Sequence, residues 1–205
     1  MKILSLLKKI LFKEIVDKEK LSLLPHAPLH HERWIFSRYD YQNKDVKKMI
    51  RYLKNHEDRE LIKALSQELS EVILDYLAEQ QELSYFMNPL IIPVPLSKKR
   101  LRERGFNQVS FLIKSISKQV HAEYRNDILI RKHHTEKQAL IRERKKRFEN
   151  VRGVYAVKNG KEKELRGRDI ILVDDLSTTG ATLLELRKVV RKVGARKVIA
   201  VTIAH

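Results

Sequence analysis

Ile170-Ile171-Leu172-Val173-Asp174-Asp175-Leu176-Ser177-Thr178-Thr179-Gly180-Ala181-Thr182 reads, in order, as a buried strand, an acidic pair, a hydroxyl-rich turn and the start of a helix. Four consecutive branched apolar residues suit a strand covered on both faces, as in a parallel sheet. From Ala181 to Val193 the apolar residues recur at helical spacing. In an open parallel sheet, ligands gather outside the carboxyl ends of the strands, and this turn falls there. A helix start leaves backbone N–H groups unpaired and carries partial positive charge, so it suits a phosphate dianion. Thr178, Thr179 and Thr182 can add hydroxyl donors, and Gly180 lets the backbone of Gly180-Ala181 approach closely. Asp174 and Asp175 would repel the phosphate, so they are expected on the sugar side. There they would accept hydrogen bonds from ribose hydroxyls and offer oxygen ligands to a magnesium ion. A helix cap with two solvated aspartates would explain one hydroxyl, not the whole set.

Short apolar runs rich in β-branched residues recur at Leu90 to Val94, Ile128 to Ile130, Val151 to Val157 and Val198 to Ile203. Each is predicted as a strand. Gln108 to Val120 carries helical periodicity between two of them, and such alternation predicts an α/β fold, an open and mainly parallel sheet with helices on both faces. Upstream, Trp34 to Tyr41 reads as a strand or hairpin, and Val46 to Leu53 and Leu61 to Leu77 as helices. Asp58 stands where an N-cap would start the second helix, and Asn88-Pro89 marks its stop.

Residues 1–23 place Ile3, Leu4, Leu7, Ile10, Leu11 and Ile15 at spacings of three and four, with lysines on the other face. This is a basic amphipathic helix, expected either to dock on the core or to touch a membrane surface. Lys8, Lys9 and Lys13 interrupt the run and no small-residue cleavage site follows, so no secretory signal is expected. Pro25 and Pro28 then open a linker carrying His26, His30 and His31, which lack the spacing of a metal site.

The 205 residues carry 43 Lys and Arg against 26 Asp and Glu, a formal charge of +17 that favours polyanionic ligands. The chain has no cysteine, which removes disulfides and thiolate zinc sites. A cytoplasmic setting is expected and no zinc. The sequence also lacks the Gly-x4-Gly-Lys-Ser/Thr of a nucleotide-triphosphate P-loop.

Val173-Asp174-Asp175 and Thr178-Thr179-Gly180-Ala181-Thr182 closely resemble the type I phosphoribosyltransferase fingerprint, with Ser177 departing at a position more often apolar. Ile92-Pro93-Val94-Pro95-Leu96, Arg100 and Arg104-Gly105-Phe106-Asn107-Gln108 resemble a signature of the ComF family, the competence-protein-like branch of that fold. Thr135, Gln138, Arg147 and Asn150-Val151-Arg152-Gly153-Val154-Tyr155 resemble its later signature, and Tyr39 to Lys54 is a weaker third match. The resemblance spans roughly residues 35–205. It divides the chain into a basic helix and linker (1–33), a strand and helical region (34–88) and a phosphoribosyltransferase-like core (89–205). Family members usually carry a cysteine zinc finger near the N-terminus, which this chain does not have.

The resemblance implies binding of phosphoribosyl pyrophosphate with Mg2+. Asp174 and Asp175 would then hold the ribose and tentatively the metal, Thr178 to Thr182 the 5-phosphate, and Arg100 and Arg104 the diphosphate. Residues 131–149 are dense in cations, and Arg142, Arg144, Lys145 and Arg147 are candidates for a mobile lid over the leaving pyrophosphate. A solvated helix face is the plain alternative. Two functions follow as expectations: phosphoribosyl transfer to an unassigned acceptor, or a single-stranded-DNA-binding accessory role in DNA uptake. For the second, Phe106, Tyr124 and Tyr155 are the aromatic candidates beside basic residues, although core packing would also use them.

Overall fold

The computed structural model describes residues 18–83, 89–132 and 144–205, with backbone alone at 18–19, 80–83 and 144–146. Of the segment over 1–23, only residues 18–23 fall among them, with the short helix α1 (Lys18–Ser22). Among the described residues no helix is long and apolar enough to cross a membrane.

Five strands form one parallel sheet in the order β1 (Ile35–Tyr39), β7 (Val198–Ala204), β6 (Ile170–Leu176), β2 (Leu90–Pro93), β3 (Glu123–Tyr124). The side chains of β2, β6 and β7 alternate between two buried layers. Ile91, Ile171, Val173, Ile199, Val201 and Ile203 face one, with α2 (Lys44–Leu53), α3 (Arg59–Leu83) and α5 (Gln108–Gln119). Leu90, Ile92, Ile170, Leu172, Val198 and Ala200 face the other, with α7 (Ala181–Lys192) and the end of α6 (Arg144–Val151). Burial on both faces is why these strands read as continuous apolar runs. β1 joins this sheet through β7, and α3 packs against α5, β7 and β1.

The predicted strand at Trp34 to Tyr41 is thus a single edge strand. The helix predicted over Leu61 to Leu77 runs from Arg59 to Leu83, and Asp58 caps it, accepting from the amides of Glu60 and Leu61 at 3.1 and 3.0 Å. The preceding helix starts at Lys44, where Asn43 accepts from the amides of Asp45 and Val46.

Two of the predicted strands lie outside the parallel sheet. β4 (Leu129–Arg131) and β5 (Tyr155–Val157) pair antiparallel with each other. Only residues 125–128 separate β3 from β4, whereas a parallel neighbour needs a crossover of about a dozen residues or more. Val151, read as the start of a strand, instead ends α6, and Gly153 turns the chain at φ +69° before β5 begins. A short helix, α4 (Lys98–Arg104), has no buried residues and so gave no apolar periodicity to read.

From β2 the chain moves outward to β3, and from β6 it moves to the opposite side, to β7. The loops after β2 and β6 therefore part, and a crevice opens between them at the carboxyl ends of the strands.

Candidate functional site

A cavity of about 650 Å3 occupies that crevice. The loop after β2 and α4 contribute Val94, Pro95, Leu96, Arg100, Glu103 and Arg104. The end of β6 and the turn beyond it contribute Asp174, Asp175, Leu176, Thr178 and Thr182. Tyr41, Lys54 and Asn55 enter from around α2, Arg131 and Tyr155 from the ribbon, and Arg147 from α6. Five cationic side chains therefore face three acidic ones, a surplus that suits an anionic ligand.

The acidic pair lies inside the sheet rather than after it. β6 continues to Leu176 because β7 runs on to pair with it, placing Asp174 opposite Thr202. The two carboxylates differ sharply. Asp175 is buried; its Oδ2 accepts from Gln108 Nε2 at 2.5 Å, and its Oδ1 lies 3.3 Å from Lys54 Nζ. Gln108 in turn accepts from Arg104 Nη1 at 3.3 Å, so a relay of polar contacts joins α4 to the acid. Asp174 keeps part of its surface open to the cavity, and its Oδ1 accepts the Asp175 amide at 2.8 Å. Its pKa lies above the ordinary carboxylate range, because burial and the neighbouring Asp175 charge outweigh that hydrogen bond and the cations Lys54 and Arg100.

The Arg104-Gly105-Phe106-Asn107-Gln108 stretch gains a physical reading from these contacts. Ser97 caps α4, accepting from the amide of Arg100 at 3.2 Å, and Gly105 ends it in the left-handed region at φ +79°. Asn107 then caps α5 and also donates to the Val94 carbonyl at 3.4 Å, which ties the loop to the end of β2. Arg104 is held where burial lowers its pKa while Asp175 raises it.

In the turn, Thr178 is exposed and accepts from Arg147 Nη1 at 3.1 Å, and Thr182 lines the cavity. Thr179, Gly180 and Ala181 do not line it with side chains. Thr179 Oγ1 is buried and finds no hydrogen-bond partner among the described residues. Gly180 stands at φ +70° as the cap of α7, whose first amides have no partner within the helix.

Beneath the turn lies a pairing that the sequence did not reveal. Ser177 is buried, and its Oγ is 3.1 Å from Nε2 of buried His30. His30 also stacks on His31 and meets His205 at a tilt of 50°, each at 4.2 Å between ring centroids. The segment read as a linker thus packs under the loop, and among the described residues no group of three or more His, Cys, Asp or Glu could hold a metal.

Of the lid candidates, Arg142 lies outside the described residues, as do Thr135 and Gln138. Arg144 and Lys145 begin α6, and Arg147 reaches the cavity from it. Sequence reading missed Lys54, Arg131 and Tyr155 as lining residues. Arg131 Nη1 donates to the Tyr155 hydroxyl at 3.0 Å, and its guanidinium lies 5.4 Å from the Tyr155 ring centroid. Burial lowers the pKa of Arg131 and raises that of Tyr155. Tyr155 is itself a core residue, as its β-branched neighbourhood implied.

A parallel sheet with this order, and an acidic pair followed by a threonine-rich helix start at its switch point, define a type I phosphoribosyltransferase-like protein. The phosphoribosyl transferase domain family matches residues 112–205. The chain is 29% identical over 150 residues to DNA utilization protein YhgH of Escherichia coli O157:H7, covering 73% of this chain and 63% of that protein. It is 36% identical over 108 residues to Competence protein F of Haemophilus influenzae, covering 53% and 46%. Competence protein ComFC of Bacillus subtilis is 33% identical over 147 residues, covering 71% and 52%. The chain thus spans between about half and 63% of the length of these relatives. It belongs to the ComF family.

Proposed function

We propose that the cavity binds phosphoribosyl pyrophosphate together with Mg2+ and that the protein transfers the phosphoribosyl group to a nitrogen nucleophile. The observation that carries this reading is a helix-start turn whose Thr178 and Thr182 line a cation-rich crevice beside Asp174. The amides of Thr179 to Thr182 and the threonine hydroxyls would hold the 5-phosphate. Asp174, open to the cavity, would accept from the ribose diol. Asp175 has a different part: Gln108 and Lys54 already occupy it, so it positions α5 and α2 around the sugar.

Arg100, Arg104 and Arg131 face the space where the diphosphate would lie, and their fixed charge would favour its departure as negative charge builds on it. For the metal the donor set fits in part. Asp174 supplies one carboxylate that lines the cavity beside the buried Asp175 charge. Magnesium accepts one or two protein carboxylates when substrate phosphates and water complete its shell.

Isothermal calorimetry with phosphoribosyl pyrophosphate and Mg2+ tests the binding. Saturable heat that Asp174→Asn and Thr178→Ala weaken is expected, and heat unchanged in both would refute the assignment. Pyrophosphate release across a panel of nitrogenous bases then tests turnover and names the acceptor.

A second reading is favoured by the relatives, which are named for competence and DNA utilization, and by the +17 charge. In it the protein serves DNA uptake as an accessory that binds single-stranded DNA, with the cavity as a phosphosugar-responsive centre. Salt-sensitive binding of an oligonucleotide is its test.

A further inference from the structure

Away from the cavity, α3 and α5 enclose a groove of about 450 Å3 lined by Glu57, Arg59, Ile62, Lys63, Phe111, Lys114, Ser115 and Lys118. The spacing makes this a continuous surface. Arg59, Ile62 and Lys63 are three and four apart on α3, and Phe111, Lys114, Ser115 and Lys118 follow the same rule on α5, so each set shares one helix face. Two cationic rows therefore flank a floor that includes the buried Ile62.

Lys63, Lys114 and Lys118 are exposed, and no ion pair among the described residues neutralises them. Arg59 has only a long contact with Glu57, at 3.8 Å. Phe111 is exposed at 37%, unusual for a large aromatic, and its ring centroid stands 6.0 Å from that of Phe106. Phe106 follows the cavity's Arg104 by two residues, so the ring pair joins the loop after α4 to the exposed face of α5.

We propose that this groove is the binding track for single-stranded nucleic acid, an inference that rests on the second reading above. Charge complementarity selects a polyanion. The aromatic pair decides between polyanions, because single strands offer bases that stack on exposed rings, whereas an acidic protein face does not need them. Lys114 and Lys118 are one helical turn apart, about 6 Å along the axis, so successive backbone charges of an extended strand can meet successive lysines. Phe111, with Phe106 behind it, takes a base, and the α3 row closes the other bank.

The test is fluorescence anisotropy of a labelled oligodeoxythymidine on the full chain, at salt from about 50 to about 200 mM. The triple variant Lys63→Glu, Lys114→Glu, Lys118→Glu is compared with Lys158→Glu, Lys188→Glu, Lys192→Glu, which changes net charge equally on other surfaces. The groove triple is expected to lose more than about tenfold in affinity and to flatten the log–log salt slope by about two. Phe111→Ala should weaken binding with the slope unchanged. The milder Lys→Gln triple repeats the comparison should the charge reversal perturb folding, with circular dichroism melting as the check.

Equal losses in both triples would mean bulk charge alone and overturn the site. Loss confined to Arg100→Ala, Arg104→Ala would place the strand in the cavity and also overturn it. Competition by polyglutamate as strong as by oligonucleotide would assign the groove to an acidic protein instead. No salt-sensitive binding by the unmodified chain would remove the accessory reading itself, together with the track.

Discussion

His30 Nε2 stands 3.1 Å from Ser177 Oγ beneath the turn that follows β6, with both residues buried. The Glu32 amide donates to His30 Nδ1 at 3.0 Å, so in the neutral ring Nε2 carries the proton and donates to Ser177. That tautomer does not activate the serine; it anchors it. His30→Phe should leave a buried hydroxyl unsatisfied and lower stability by about 1–3 kcal/mol in urea unfolding. Adding Ser177→Ala should recover much of the loss, since removing both polar partners is far less costly than removing one. A double variant no more stable than His30→Phe would show that ring packing, not the hydrogen bond, holds the turn.

The same ring limits what can stand at Gly180. A Cβ there would meet His30 Cε1 and Ile35 Cδ1 at 3.1 Å each, on a backbone at φ +70° that side chains rarely adopt. Gly180→Ala is therefore expected to cost about 1–2 kcal/mol from backbone conformation alone, and to weaken the calorimetric affinity for phosphoribosyl pyrophosphate more than Thr178→Ala does. Equal affinities would mean that the turn adjusts without moving its amides.

How far the sequence could be read follows from which forces act locally. Leu172-Val173 and Ile199-Ala200-Val201 declared a doubly covered strand because both faces are buried, and Asp58 declared its helix because capping needs only neighbours. Ile130 and Val151 misled, since an apolar residue does not say which sheet it pairs with or whether it ends a helix. Lys98 to Arg104 passed unread as a helix because its fold is held by Ser97 and Gly105 at its ends. The cavity's Lys54 and Arg131 lie 120 and 43 positions before Asp174 in sequence, and only the closure of the sheet brings them to it. The His30–Ser177 pair is of the same kind.

Gln108 and Asp175 offer a sharper separation of structure from chemistry. Gln108→Ala removes the 2.5 Å hydrogen bond to a buried carboxylate, and hydrogen bonds to charged groups contribute about 1.5–3 kcal/mol. Chemical denaturation should show a loss of that order. Gln108→Glu should be worse, because it sets a second carboxylate against Asp175, and Lys54→Met should add to either. If Gln108→Ala were as stable as the parent, Lys54 or water would be satisfying the acid unaided.

Alkaline pH probes the helix junction beside the site. The Tyr52 hydroxyl donates to Asp58 Oδ2 at 3.1 Å, and burial together with that carboxylate pushes its pKa up to about 12. The folded value lies above that of an unfolded tyrosine, about 10. The contribution is therefore fully present below about pH 10 and is lost as pH rises from there towards about 12. Unfolding free energy should fall over that window, and Tyr52→Phe should fall less steeply. An ultraviolet titration in which Tyr52→Phe removes a tyrosine from the early part of the wave would contradict the assignment.

Arg131 gives the most direct test of the cavity's electrostatics, because Tyr155 already orients its guanidinium and the charges of Arg100 and Asp174 act on it across the same cavity. A planar fork can bind a diphosphate through two parallel hydrogen bonds, which a lysine cannot reproduce. Arg131→Lys is therefore expected to weaken phosphoribosyl pyrophosphate by about tenfold or more, since a hydrogen bond to a charged group contributes about 1.5–3 kcal/mol and about 1.4 kcal/mol is tenfold. Inorganic phosphate at the threonine turn should be bound as before. Tyr155→Phe should reproduce a part of the loss by freeing the fork, while equal weakening of both ligands would move Arg131 to the 5-phosphate side.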